Sequence, residues 1–196
     1  MNKSHVWRAL AIMAGSVMCG PALATALDLN LNDDAARLTY ASLLADGQLE
    51  FDLGWLHHQQ RGELLSLSLG RIGEAGGGTQ SITAGIGGRV YLVEPDLPVI
   101  PGFDADQRGA LLGVGGFFRM KLAEYDRIGF AGHGYYAPDV LAFGDAEDLV
   151  EIELRLTYSI LRDADIYVGA RYLKAGFDDI EVNMDNGLHI GLRLEF

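Results

Sequence analysis

The sequence predicts an all-β fold, an antiparallel transmembrane β-barrel of about ten strands with eight as the fallback count, preceded by a signal peptide. Three observations carry that reading. Apolar and polar residues alternate with period two along most of the chain. Glycine supplies 26 of 196 residues, about twice the usual share. The first two dozen residues have the layout of an export leader. Composition closes off other classes. With 15 basic against 27 acidic side chains and a formal charge of −12, the chain lacks the cationic surface that phosphate recognition needs, which argues against a nucleic-acid partner. One cysteine cannot build a disulfide scaffold. A hydrophobic share of 49% argues against global disorder.

The leader comes first. Lys3 and Arg8 form a short basic region, Ala9 to Met18 is an almost unbroken apolar run, and Ala22-Leu23-Ala24 is an A-x-A cleavage signal. Ala24-Thr25-Ala26 offers a second cut, so the boundary falls after residue 24 or 26. Residues 1–24 are therefore read as signal peptide and 25–196 as barrel. The apolar run is too short to cross a bilayer as a helix. Cys19 raises the option of lipid attachment, but Met18 is bulky where that processing needs a small residue.

The strands follow in chain order. A hairpin is centred on Asn32-Asp33-Asp34, and Leu49, Phe51, Leu53 and Trp55 then alternate with Glu50, Asp52 and Gly54. Leu65, Leu67 and Leu69 mark the next strand. Ile82 to Leu92 alternates against Thr83, Gly85, Gly87 and Arg89, and Leu112 to Met120 alternates against Gly113, Gly115, Arg119 and Lys121. After the Ile128–Tyr136 segment, Val150 to Ile160 alternates with Glu151, Glu153, Arg155, Thr157 and Ser159 over eleven residues. Ile166 to Tyr172 alternates with Tyr167, Gly169 and Arg171, and Leu188 to Phe196 with His189, Gly191, Arg193 and Glu195. With the first strand rising from the periplasm, connections at 44–47, 73–78, 123–126 and 161–164 are short. The long ones, 94–107, 137–148 and 176–185, fall at the opposite, external end, which is the asymmetry of an outer-membrane barrel.

Alternation alone does not say which face is outside, because a soluble lipocalin-like barrel also carries one apolar face. Two aromatic belts favour the membrane: Trp55, Tyr136 and Tyr172 near external strand ends, and Phe118, Tyr158 and Phe196 near periplasmic ends. The other face carries Glu50, Asp52, Arg89, Arg119, Lys121, Glu151, Glu153, Arg155, Arg171 and Arg193, which are the candidate lumen-lining residues.

His189-Ile190-Gly191-Leu192-Arg193-Leu194-Glu195-Phe196 resembles the C-terminal β-signal of bacterial outer-membrane proteins, with Gly191, Leu194 and Phe196 as its marks. The block Leu27-Asp28-Leu29-Asn30-Leu31-Asn32-Asp33-Asp34-Ala35-Ala36-Arg37-Leu38-Thr39-Tyr40 resembles the mature start of the YfaZ family of small outer-membrane proteins. The resemblance implies a barrel in the cell outer membrane, in contact with outer-membrane lipid and inserted by the barrel assembly machinery through its last strand. It brings no catalytic motif.

Candidate chemistry is sparse. Gly113-Val114-Gly115-Gly116 lacks the third glycine and the helix of a dinucleotide loop. His57 and His58 are adjacent, so a strand sends them to opposite faces rather than to one metal. Asp104-Ala105-Asp106 begins like a calcium loop, but Gly115 stands where the bidentate Glu is required. His133, Ser159, Ser81 and Glu151 are the residue types of a rim-site lipid or peptide hydrolase, without a spacing that makes them converge. No catalytic, cofactor or metal residues are assigned. Fourteen acids are counted on the external loops, Asp33, Asp34, Glu94, Asp96, Asp139, Asp145, Glu147, Asp148 and Asp185 among them. They suggest divalent cations bridging the rim, against the plainer reading of a solvated acidic edge. The function expected is a structural or narrow-channel outer-membrane barrel without covalent chemistry. The alternatives are the rim-site hydrolase and a soluble periplasmic binder.

Overall fold

The structure, a computed structural model, describes residues 25–44, 47–75, 82–96, 108–122, 125–177 and 180–196. The leader and most of the 94–107 connection lie outside the described residues. Eleven strands account for nearly all of the rest: β1 (Thr25–Leu31), β2 (Ala35–Leu44), β3 (Leu49–His58), β4 (Gly62–Ala75), β5 (Ile82–Glu94), β6 (Gly109–Leu122), β7 (Tyr125–Ala137), β8 (Ala142–Gly144), β9 (Ala146–Leu161), β10 (Ala164–Phe177) and β11 (Ile180–Glu195).

Each long strand pairs antiparallel with its sequence neighbours, except that β7 passes over β8 and pairs with β9. The ring closes where β1 meets β11, in register from Ala26 opposite Glu195 to Leu31 opposite Ile190. The result is a ten-strand barrel with no free edge, the arrangement that leaves no ladder group unpaired in lipid. The three-residue β8 lies against the start of β6. Thr25 N–H reaches Phe196 O at 3.0 Å and Phe196 N–H reaches Thr25 O at 2.8 Å, so both chain ends meet at one end of the barrel, called here the terminal end. The opposite end is called the loop end.

The apolar face is outside. Ile86, Leu188 and Leu154 are 77%, 74% and 57% exposed, whereas Glu151 and Glu153 on the other face are fully buried. A soluble barrel would reverse these faces, because water would then meet a continuous hydrocarbon coat. The lipocalin-like alternative is therefore overturned by the orientation of the side chains. Trp55, Tyr136 and Tyr172 lie on the exterior toward the loop end, and Phe118, Tyr158 and Phe196 toward the terminal end.

Two connections differ from their sequence reading. In the 176–185 segment strand pairing of β10 with β11 continues as far as Phe177 opposite Ile180, where a long loop was expected. A bulge hides it: Leu173 pairs with Asp185 but Lys174 pairs with Asn183, so Met184 is an extra residue that breaks the alternation. Asp185, counted among the external acids, is consequently buried inside. The 137–148 segment holds a 3₁₀ turn (Asp139–Leu141) and β8 rather than an open loop. At the loop end Gly62 has φ +100°, and a Cβ there would lie 2.6 Å from the Asp96 amide nitrogen, so that turn admits only glycine without rearrangement.

Candidate functional site

Among the described residues, chemistry-bearing side chains converge in the lumen, and it is layered. Its middle is organised by two β9 carboxylates of the same parity, Glu151 and Glu153, held side by side out of water. Two such charges repel, so each must be matched by cations delivered from other strands. Glu151 Oε1 accepts a hydrogen bond from Arg37 Nη1 on β2 at 2.6 Å. Its Oε2 accepts from Arg89 Nη1 at 2.8 Å and from Tyr91 Oη at 2.7 Å, both on β5. His133 Nε2 on β7 lies 3.1 Å from the same carboxylate. Glu153 accepts from Arg171 Nε on β10 at 2.6 Å and from Arg155 Nε on its own strand.

The network continues through those arginines. Arg171 reaches Asp185 Oδ2 at 2.6 Å and Asn30 Oδ1 at 2.8 Å, and Arg155 Nη1 reaches Asp28 Oδ2 at 2.5 Å. Tyr167 donates to Asp28 Oδ1, also at 2.5 Å, and lies under the Arg155 guanidinium, 4.4 Å from ring centre to Cζ. Gly191 on β11 leaves the space that the Tyr167 ring fills. Six strands are thus tied across the lumen by buried charge-assisted hydrogen bonds.

Toward the loop end the same inward positions turn apolar. Leu56, Leu64, Tyr91, Leu111, Leu149, Leu173, Phe177 and Met184 are 0–1% exposed and pack into one cluster. Toward the terminal end the lumen opens instead into a vestibule of about 280 Å³, with Arg37 and Arg89 at its inner end and Glu50, Phe117, Arg119 and Lys121 on its walls. Arg119 spans to Glu50 with two hydrogen bonds, one of them 2.7 Å, and its guanidinium sits 4.6 Å from the Phe117 ring centre.

Of the ten charged positions named from sequence, Arg89, Glu151, Glu153, Arg155 and Arg171 belong to the middle network. Asp52 accepts from Ser68 Oγ at 2.7 Å beside Arg89, 3.7 Å away. Glu50, Arg119, Lys121 and Arg193 line the vestibule. Gly191 faces the lumen, while Leu194 and Phe196 face outward at the terminal end. The sequence reading missed Asp28, Asn30, Arg37, Tyr91, Tyr167 and His189. Asp28 and Asn30 do alternate with Leu27, Leu29 and Leu31, which was the available signal; their partners, more than a hundred residues away, were not visible.

The hydrolase types do not assemble. His133 meets Glu151, but Ser159 lies six residues along β9 from Glu153, the residue that pairs with His133, a run of roughly 20 Å. Ser81 lies outside the described residues. His57 is exposed and 3.4 Å from Glu63, while His58 is buried on the opposite face and accepts from the Gln60 amide at 3.1 Å. Among the described residues no group of three or more His, Cys, Asp or Glu side chains is placed to hold a metal ion.

The family model described as YfaZ precursor matches residues 4–196. No curated protein matches the sequence. Among solved structures the chain is similar to the outer membrane channel DcaP of Acinetobacter baumannii, at 12% identity and a TM-score of 0.41, covering 86% of this chain and 54% of that one. The chain thus spans about half the length of that channel. It is also similar to the outer membrane protease OmpT of Escherichia coli, at 8% identity and a TM-score of 0.48, covering 88% of this chain and 93% of that one.

Proposed function

The chain belongs to the YfaZ family, and we propose that it is a structural barrel of the outer membrane whose lumen is closed rather than a conducting pore. One observation carries the closure: the loop-end half of the lumen is filled by a fully buried apolar cluster that includes Leu149, Leu173, Phe177 and Met184. Water and ions do not enter a layer of that kind without leaving their hydration behind. A barrel of ten strands is narrow enough for side chains to fill it. The outer-membrane location is supported by the apolar coat, the two aromatic belts, the even strand count and the family's description as a precursor. On this reading the terminal end faces the periplasm and the last strand, whose Phe196 closes the ring on Thr25, is the segment the assembly machinery handles. Outer-membrane lipid then surrounds the exterior.

Two measurements test this. In the outer-membrane fraction, unboiled protein in detergent should migrate differently from boiled protein, as a closed barrel does; soluble material with no such shift overturns the location. In planar bilayers the purified barrel should show no steady open level. A stable conductance changed in ion selectivity by Glu153→Gln would replace the closed reading with a narrow channel through the ion network.

A further inference from the structure

The exterior coat carries a cation. On β4 the outward residues run Leu65, Leu67, Leu69, Arg71 and Gly73 toward the terminal end, and Arg71 is exposed. It stands between Leu49 on β3 and Ile86 on β5, both of them coat residues. Among the described residues its side chain has no hydrogen bond or ion pair, and no other outward-facing strand residue in the terminal half is basic. The nearby acids Glu50 and Glu74 fall on the inward parity, and Glu50 is taken by Arg119. A guanidinium keeps its charge, and a cation facing hydrocarbon is costly unless its apolar stem lets the head reach the headgroups. Arg71 lies opposite the first residue of β3, level with the turn between β2 and β3, which puts it nearer the terminal edge of the coat than its middle. The way to that edge is open. A Cβ at Gly73 would meet nothing within 4 Å, and Gly73 pairs with Ala84, which pairs with Phe118 two strands away. The Phe118 ring leans the other way, over Gly132 on β7. Gly73 and Ala84 therefore floor a shallow niche on the terminal side of Arg71.

We propose that this niche docks the phosphate headgroup of a phospholipid in the periplasmic leaflet, held by the Arg71 guanidinium. The proposal rests on the outer-membrane reading, with the terminal end toward the periplasm. A guanidinium matches phosphate with two parallel hydrogen bonds, which supplies the acceptor that the chain itself does not offer to Arg71. The acyl chains of the same lipid then run toward the loop end over the Leu69 and Ile86 side chains, both exposed on the coat. The closed or open state of the lumen does not enter, because the niche lies wholly on the outside.

The test is native mass spectrometry of the folded barrel in nonionic detergent, with phosphatidylglycerol and with diacylglycerol, which lacks the phosphate, as probes. One bound phosphatidylglycerol is expected, with Arg71→Leu weakening it about tenfold, the loss of a charge-assisted contact. Diacylglycerol should bind the native chain and Arg71→Leu alike. Lys174→Gln, at the loop end where Lys174 pairs with Glu181, should leave the phospholipid adduct unchanged. Equal binding of phosphatidylglycerol by the native chain and Arg71→Leu overturns the proposal, and so does an equal loss of both probes, which marks apolar packing alone. A second measurement reads the sign of the effect. In phosphatidylglycerol vesicles Arg71→Leu should lower the urea midpoint, whereas in maltoside micelles, which hold no phosphate, it should not. A raised midpoint in vesicles means that the membrane merely tolerates the cation, and overturns this proposal alone. A chain that does not insert into the vesicles at all overturns the outer-membrane reading and this proposal with it.

Discussion

The two halves of the lumen are built by the same strands and differ only in which inward residues they present. On β9 the inward positions run from Leu149 to Glu151 and Glu153; on β10 they run from Arg171 to Leu173 and Phe177; on β5 they run from Arg89 to Tyr91 and Val93. In each case the apolar member lies toward the loop end and the charged one toward the chain termini. The apolar half closes the barrel by filling space, which needs no partner choice. The charged half closes it by matching, where the buried carboxylates Asp28, Glu50, Glu151, Glu153 and Asp185 each have donors on other strands. Filling tolerates a change of shape better than matching tolerates the loss of one member.

The largest effect should come from the charged half. Glu151→Ala removes the acceptor of Arg37, Arg89 and Tyr91 at once and leaves the two buried guanidinium groups with only the more distant Glu153 and Asp52 carboxylates, each 3.7 Å away. We expect a loss of about 3–5 kcal/mol, read as a lower midpoint in urea for the heat-shifted gel band. Glu151→Gln should behave almost as badly, because shape is kept and charge is not. If the two variants differ widely, packing rather than charge holds that half. In the apolar half, Leu173→Ala empties a fully buried site and should cost about 2–5 kcal/mol. Leu173→Met should cost less than about 1.5 kcal/mol, since volume is kept.

The contrast between inside and outside is the next to test. Leu154 projects into the exterior coat between Glu153 and Arg155, which point inward. Leu154→Arg puts a cation on the lipid face and should cost about 2–4 kcal/mol if that position lies near the bilayer midplane. The same protein refolded in detergent micelles should lose less, because a micelle is thinner and wetter than a bilayer. An equal loss in both would mean that the exterior of β9 is not in hydrocarbon.

The exterior was legible in the sequence and much of the interior was not, for a physical reason. Period two survives wherever one face is apolar and the other polar, as along Val150–Ile160. Where the lumen is itself apolar the pattern vanishes, so Leu56, Leu64, Leu111 and Leu149 could not be told from coat residues. The inward parity still holds the signal: Glu50, Asp52, Gly54, Leu56 lose polarity step by step toward the loop end, and so do Arg89, Tyr91, Val93. The pairing as far as Phe177 was lost to the bulge at Met184, since one inserted residue moves every later side chain to the other face. Pairings such as Arg37 with Glu151 need the closed ring before they can be seen.

The smallest expected effect concerns the clasp that shuts the charged half. Thr25 and Phe196 exchange two backbone hydrogen bonds, and Ala26 is 5% exposed opposite Glu195. A leader cut after Ala24 keeps this clasp, whereas a cut after Ala26 removes Thr25, its partner on β1, together with Ala26. Two hydrogen bonds contribute about 1–3 kcal/mol together, which a chain that begins at Thr25 keeps and one that begins at Leu27 lacks when β1 closes on β11. Intact mass of the protein from membranes should therefore correspond to a chain that begins at Thr25. A chain engineered to begin at Leu27 should fold, but with its urea midpoint lowered by that amount. If the native mass begins at Leu27, the barrel closes without the clasp, and the charged half is held by its side-chain network alone.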